Sequence, residues 1–207
     1  MALLMLPVLG LWAQREGFSI KEIDDATMAR MEGKSFGKGC TTRRDDLRYL
    51  SVLHYDDKGK VQHGELVCNK AIAKDLLEIF EALYDAKYPI EKMRLIDEYG
   101  GDDEMSMEDN NTSCFNFRKV SGSKTLSKHA RGMAIDINPL YNPYIRTRNG
   151  KQIVEPHNGT EWVKNRTAKR NKMIIADGDL CLKLFLQQGF RWGGNWKTMK
   201  DYQHFEK

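Results

Sequence analysis

The chain has 207 residues, 41% of them hydrophobic and 30% charged, with a formal net charge of +4. That size and balance suit one globular domain with a real core and exclude a disordered or low-complexity polymer. No stretch reaches the ~18–20 apolar residues of a membrane-spanning helix. The opening run MALLMLPVLGLWAQ is apolar and ends on a small residue before Gln14, like the end of a secretory signal without its positive leader. Residues 1–17 therefore read as the remnant of an export signal, and 18–207 as a single domain.

Next in chain order, Ser19 and Glu22 form a capping-box pattern that predicts a helix to Met31, with Gly33 as its stop. Leu47 to Cys68 reads as two strands around the turn cluster Asp56-Asp57-Lys58-Gly59. Asn69 then caps the clearest helix, in which Ile72, Leu76, Ile79, Phe80 and Leu83 recur at helical spacing before Pro89. Met93 to Ile96 predicts a strand, and Gly100 to Asn111 a polar, acidic loop. Asp102, Asp103 and Glu104 lack calcium-loop spacing, so they read as solvated acids. In Met133 to Asn138 an apolar/polar alternation marks a strand that Pro139 ends. Asn142 to Lys172 forms a long connection, suited to a wall or lid of a groove. Asp177 to Gln188 predicts a helix stopped by Gly189. Phe190 to Trp192 reads as a strand, Gly193-Gly194 as a tight turn, and Tyr202 to Phe205 as a closing strand.

Cys40, Cys68, Cys114 and Cys181 show neither C-x-x-C nor paired zinc-finger spacing, so they are disulfides of an exported protein or buried thiols. Between Arg146 and Lys172 eight Lys/Arg face only Glu155 and Glu161, a local charge of +6. Such a stretch is either a solvated loop or a means of drawing anionic polymers toward a nearby site. No named nucleic-acid motif accompanies it, so no nucleic-acid partner is expected.

The chemistry concentrates in SKHARGMAID, Ser127 to Asp136, and DYQH, Asp201 to His204. A catalytic zinc takes three ligands from His and Asp/Glu and keeps a position for water. His129, Asp136 and His204 can supply those three, which leaves Asp201 as a base. Asp136 points away from the isoleucine face beside small Ala134, and Arg131-Gly132 can turn the chain to bring His129 round. Asp201 projects to the opposite side of an ideal strand from His204. The strand therefore has to begin or bulge near Asp201 if both are to reach one ion.

The pattern S-x-H-x-x-G-x-A-x-D, followed by W-G-G-x-W and D-x-x-H-F-E, resembles the zinc D-alanyl-D-alanine carboxypeptidases and L-alanyl-D-glutamate peptidases of bacterial cell walls. These are relatives of the vancomycin-resistance carboxypeptidases. The resemblance implies Zn2+ on His129, Asp136 and His204, Asp201 as general base, and Ser127 as the small hydroxyl residue before the first ligand. Arg118 matches an arginine that steadies the substrate carbonyl. Trp192 and Trp196 are candidates for plain core packing beside the last strand, for a substrate wall or for supporting the ligands.

Two departures stand out. Asp201 replaces the Glu usual in the carboxypeptidase branch, and Asn195 stands where Asp often follows W-G-G. The implied fold is α+β, a small, mainly antiparallel sheet with flanking helices and the zinc at one sheet edge. The implied partners are peptidoglycan stem peptides in the periplasm or cell envelope. The rival reading is a catalytically silent zinc-bearing binding module of the same fold.

Overall fold

The computed structural model describes residues 15–120 and 123–207. The apolar run before Arg15, and with it most of the segment read as an export signal, lies outside the described residues. Among those described, no helix is long and apolar enough to cross a membrane.

Among the described residues nine strands form three antiparallel three-stranded sheets, and helices flank them, so the α+β expectation holds with its strands divided over three sheets. The first sheet is β1 (Ser19–Glu22), β2 (Leu47–Tyr55) and β3 (Val61–Asn69), in that order. β2 and β3 pair along their full length from Leu47↔Asn69 to Tyr55↔Val61, closed by the predicted turn at Asp56–Gly59. Asp56 Oδ1 accepts the Lys58 and Lys60 backbone N–H groups, which fixes that turn. Alternate residues feed two clusters: Leu50, Val52, Leu66 and Cys68 enter the main core, whereas Leu47 and Val67 join a second with Ile23, Met28 and Met31.

Ser19–Glu22 is a strand, which overturns the capping box. Its residues pair with Arg48 to Ser51, and the long-range ladder outweighs a local cap. Helix α1 (Asp25–Met31) starts only after Asp24, whose Oδ1 accepts the Thr27 N–H at 2.7 Å. Helix α2 (Lys70–Asp85) is capped by Asn69 as expected, and Ile72, Leu76, Ile79, Phe80 and Leu83 are all buried.

Met93 to Leu95 forms no strand: Met93 O accepts the Glu65 N–H of β3, the Asn111 side chain accepts from Arg94 N and donates to Arg94 O, and Ile96 opens a 3₁₀ turn. The acidic loop also contains a helix, α3 (Asp103–Glu108), because Asp102 caps it by accepting the Met105 N–H at 2.9 Å. The long connection holds a hairpin, β5 (Tyr144–Arg148) and β6 (Lys151–Glu155). Helix α4 (Leu180–Gln187) begins three residues later than predicted, with Asp179 as its cap.

The second sheet runs β4 (Ala134–Asp136), β9 (His204–Glu206), β7 (Arg191–Trp192), and the third runs β6, β5, β8 (Met199–Asp201). Ile135 and Phe205 face each other across β4 and β9 in the main core. Phe205 stacks on Phe185 of α4 with ring centroids 4.2 Å apart. That face anchors the sheet, and the opposite face is left for chemistry. All four cysteines are free thiols, three of them buried.

Candidate metal centre

Antiparallel register places Asp136 directly opposite His204, so both side chains leave the sheet on the same face. His204 Nδ1 lies 3.0 Å from Asp136 Oδ1. His129 arrives from a 3₁₀ turn, His129–Arg131, and its Nε2 stands 3.2 Å from Asp136 Oδ2 and 3.1 Å from His204 Nδ1. The three residues are 2–6% exposed, which makes the cluster internal to the fold. One ligand atom from each lies within 4.8 Å of the others, close enough to share a metal ion.

The turn that delivers His129 depends on Gly132. Its φ is +65°, and an added Cβ would meet Asn69 N at 2.6 Å. Gly132 O accepts from that same N–H, and the Asn69 side chain donates to Arg131 O, so the turn is docked on the junction of β3 and α2. Ser127 is buried, and its Oγ accepts the His129 N–H at 3.2 Å; the hydroxyl thus shapes the turn that carries the imidazole.

The outer ring nitrogens settle which atoms face inward. His129 Nδ1 lies 2.6 Å from the Cys114 carbonyl oxygen, which can only accept, so Nδ1 carries the proton. His204 Nε2 donates to Glu206 Oε2 at 3.4 Å. Both neutral rings then present lone pairs toward one point beside a carboxylate. Two lone pairs 3.1 Å apart repel unless a cation or a proton lies between them.

With no metal present, the same geometry favours a proton on His204. Burial opposes its charge, but hydrogen bonds to Asp136 and Glu206 and the charges of Asp136 and Asp201 raise its pKa to about 10. Asp136 shows the converse: burial would raise its carboxyl, yet His129 and His204 hold it well below the ordinary carboxylate range. The donor set fits a divalent ion such as zinc.

Asp201 ends β8 in one sheet and His204 opens β9 in another, which resolves the problem of their spacing. The chain bends at Tyr202-Gln203 between them. Tyr202 N donates to Pro143 O, Trp192 Nε1 donates to Tyr202 O, and Ile137 N donates to Gln203 O. The Arg166 guanidinium covers the Tyr202 ring at 3.8 Å. Gly193 makes room for this bend, since a Cβ there would stand 2.6 Å from Asp201 O.

As a residue Asp201 is half-buried, but its Oδ1 is shut off from solvent with no hydrogen-bond partner among the described residues. Burial pushes its carboxyl up to about 7, with His204 and Arg118 pulling down and Asp136 and Asp103 adding to the rise. A carboxylate poised near neutrality is suited to taking and returning a proton.

A cavity of about 380 Å³ opens over the cluster, and its lining includes Arg118, Ser127, Trp196 and Asp201. Arg118 Nη2 pairs with Asp103 Oδ2 at 2.7 Å. Trp196 is half-buried, with its ring 5.4 Å from that of His204. Trp192 is buried in the main core and does not line the cavity; its part is the bond to Tyr202 O. Asn195 is exposed on the turn after β7. Tyr144 and Glu155 bring the β5-β6 hairpin to the cavity wall.

Three participants escape sequence reasoning. Asp103 is not a solvated acid, and with Asp102 capping α3 and Glu104 accepting the His157 N–H, the three acids do separate jobs. Glu206 orients His204, a role that H-x-E spacing on a strand does signal, because residues two apart share a face. The Cys114 carbonyl, by contrast, gives no sequence signal.

Residues 121–207 match the D-alanyl-D-alanine carboxypeptidase family. The matched segment spans less than half of the chain, and it is similar there to a family of peptidases. It takes in His129, Asp136, Asp201 and His204, and it leaves Asp103 and Arg118 outside. No solved structure matches the chain.

Proposed function

We propose that this protein is an exported zinc metallopeptidase that hydrolyses D-amino-acid-containing peptide bonds in peptidoglycan stem peptides. The observation that carries the reading is the register pair Asp136↔His204 with His129 closing the triangle, both imidazoles held by acceptors on their outer nitrogens. His129, Asp136 and His204 would hold the ion, and the matched family points the same way. When bound, zinc lowers the pKa of a coordinated water from 15.7 to about 7 and acts as a Lewis acid toward the scissile carbonyl.

The chain's own residues do the rest. Asp201 takes a proton from the attacking water and hands it to the leaving amine, for which a buried carboxyl near neutral pH is suited. Arg118 donates to the carbonyl oxygen as negative charge develops there. Trp196 and Tyr144 wall the groove beside the reacting bond. Asp201 in place of Glu favours the L-alanyl-D-glutamate endopeptidase over the D-alanyl-D-alanine carboxypeptidase.

Mass analysis of products from defined muropeptides tests both levels. Scission between L-Ala and D-Glu is the expected outcome. Release of free D-alanine with that bond intact would move the assignment to the carboxypeptidase. No cleavage of any stem peptide by the zinc-loaded protein at any pH would leave a silent zinc-bearing module.

A further inference from the structure

We infer that Asp103, on a helix outside the matched family segment, is the positioning residue that aims Arg118 at the substrate. The inference rests on the proposed peptidase reading for what Arg118 meets, but the contact itself is independent of that reading.

An arginine side chain has many rotamers and wanders unless its guanidinium is held. The Arg118 backbone is fixed to the metal cluster, because its carbonyl accepts the Ser127 N–H two residues before His129, and Asn116 N donates to His129 O. Its side chain enters a wide cavity, where only a second contact can fix its direction. Asp103 Oδ2 supplies that contact at 2.7 Å on Nη2, with both side chains only about a quarter exposed. An ion pair of that length, partly screened from water, holds the guanidinium more firmly than a fully exposed one.

Asp103 is itself held firmly. It stands in the first turn of α3, whose start is capped by Asp102 and tied to the Arg118 segment by Asn116 Nδ2 donating to Gly101 O at 3.2 Å. From the other side Glu104 accepts the His157 N–H, which locks α3 to the chain beyond β6.

The pairing also decides what Arg118 can still offer. With Nη2 on Asp103, one N–H of the guanidinium is already committed, and Nη1 remains for a substrate oxygen. Its Nε is shut off from solvent and has no partner among the described residues. That burial leaves the terminal nitrogens as the part of Arg118 that can reach a substrate oxygen, as on a peptide carbonyl.

The test uses the zinc-loaded full chain with Asp103→Asn, Asp103→Glu, Arg118→Gln and the Asp103→Asn/Arg118→Gln double variant, assayed on a muropeptide and on a peptide ending in D-alanyl-D-alanine. Asp103→Asn should lower kcat about ten- to a hundredfold, as misplacement of a reacting group does, with KM changed less than about twofold. Asp103→Glu should recover part of that loss, and the double variant should be no worse than Arg118→Gln within about twofold. Effects that multiply in the double variant, or that appear only in KM, would overturn the inference.

A readout apart from turnover is the Arg118 Nε–H resonance in nitrogen-15 spectra. It should be sharp in the unaltered protein and averaged in Asp103→Asn; an unchanged resonance would overturn the inference as well. If the unaltered protein cleaves neither peptide, the peptidase reading fails, and the resonance still decides whether Asp103 holds Arg118.

Discussion

The β1-β2-β3 and β4-β9-β7 sheets are both antiparallel and three-stranded, yet they hold together by different means. In the first, nine-residue strands β2 and β3 pair end to end and both faces enter apolar clusters. In the second, β4 and β9 pair over three residues, and only the Ile135/Phe205 face is apolar. The other face gathers Asp136, His204 and, from the adjoining turn, His129. Short strands alone would not keep so many ionisable groups together. The docking of Gly132 on Asn69 and of the Tyr202-Gln203 bend on Pro143 and Ile137 transfers rigidity from the rest of the fold to the site. Apolar burial in one region thus offsets the electrostatic cost of the other.

The sharpest way to break this contrast is to remove a ligand. His204→Ala should abolish stoichiometric zinc and all cleavage; elemental analysis that still finds one zinc per chain would dissolve the proposed cluster. Asp201→Asn should keep the zinc and lose about 10²–10⁴ in kcat. The same variant has a signature in metal-free protein. Because the Asp201 pKa is raised in the fold from 3.8 to about 7, its burial favours the protonated form, so stability falls as pH rises from about 4 through 7. The full displacement corresponds to at most about 4 kcal/mol.

His204, raised from 6.5 to about 10, loses its contribution only between those higher values, and Asp136, held low, loses its own only below about pH 4. Urea unfolding of the chelated protein should therefore show a slope between pH 4 and 7 that Asp201→Asn removes. A slope that survives the substitution would mean that other groups set it.

On the scaffold side, Leu76→Ala in α2 should cost about 2–5 kcal/mol of stability without altering zinc affinity of the folded protein, as read by denaturation and calorimetry. If zinc affinity fell with it, the two regions would not be separable. The smallest expected effect is that of Glu206→Gln, which should weaken zinc about 10–100-fold by loosening the His204 ring, measurable by competition with a chelator.

Legibility in the sequence follows the same divide. The Asp56–Gly59 turn, the Asn69 cap and the apolar stripe of α2 are local signals, and each stands as read. Ser19–Glu22 misleads because a capping box is worth less than a full ladder against Arg48–Ser51. Asp103 is invisible as a partner because nothing within a few residues of it points to Arg118. The candidate ligands His129, Asp136 and His204 are picked out by type and spacing, and the fold brings these three together.

From its amino acids alone this chain determined a candidate His/Asp donor set, its central helix and a long hairpin, since each depends on residue identity or on periodicity over a few turns. The α+β architecture was implied by the family resemblance. Only the tertiary structure decided that Asp201 and His204 belong to different sheets, which ring nitrogens face inward, and that Asp103 meets Arg118. Those facts depend on the register of short strands and on contacts between distant segments, and neither leaves a periodic trace in the sequence.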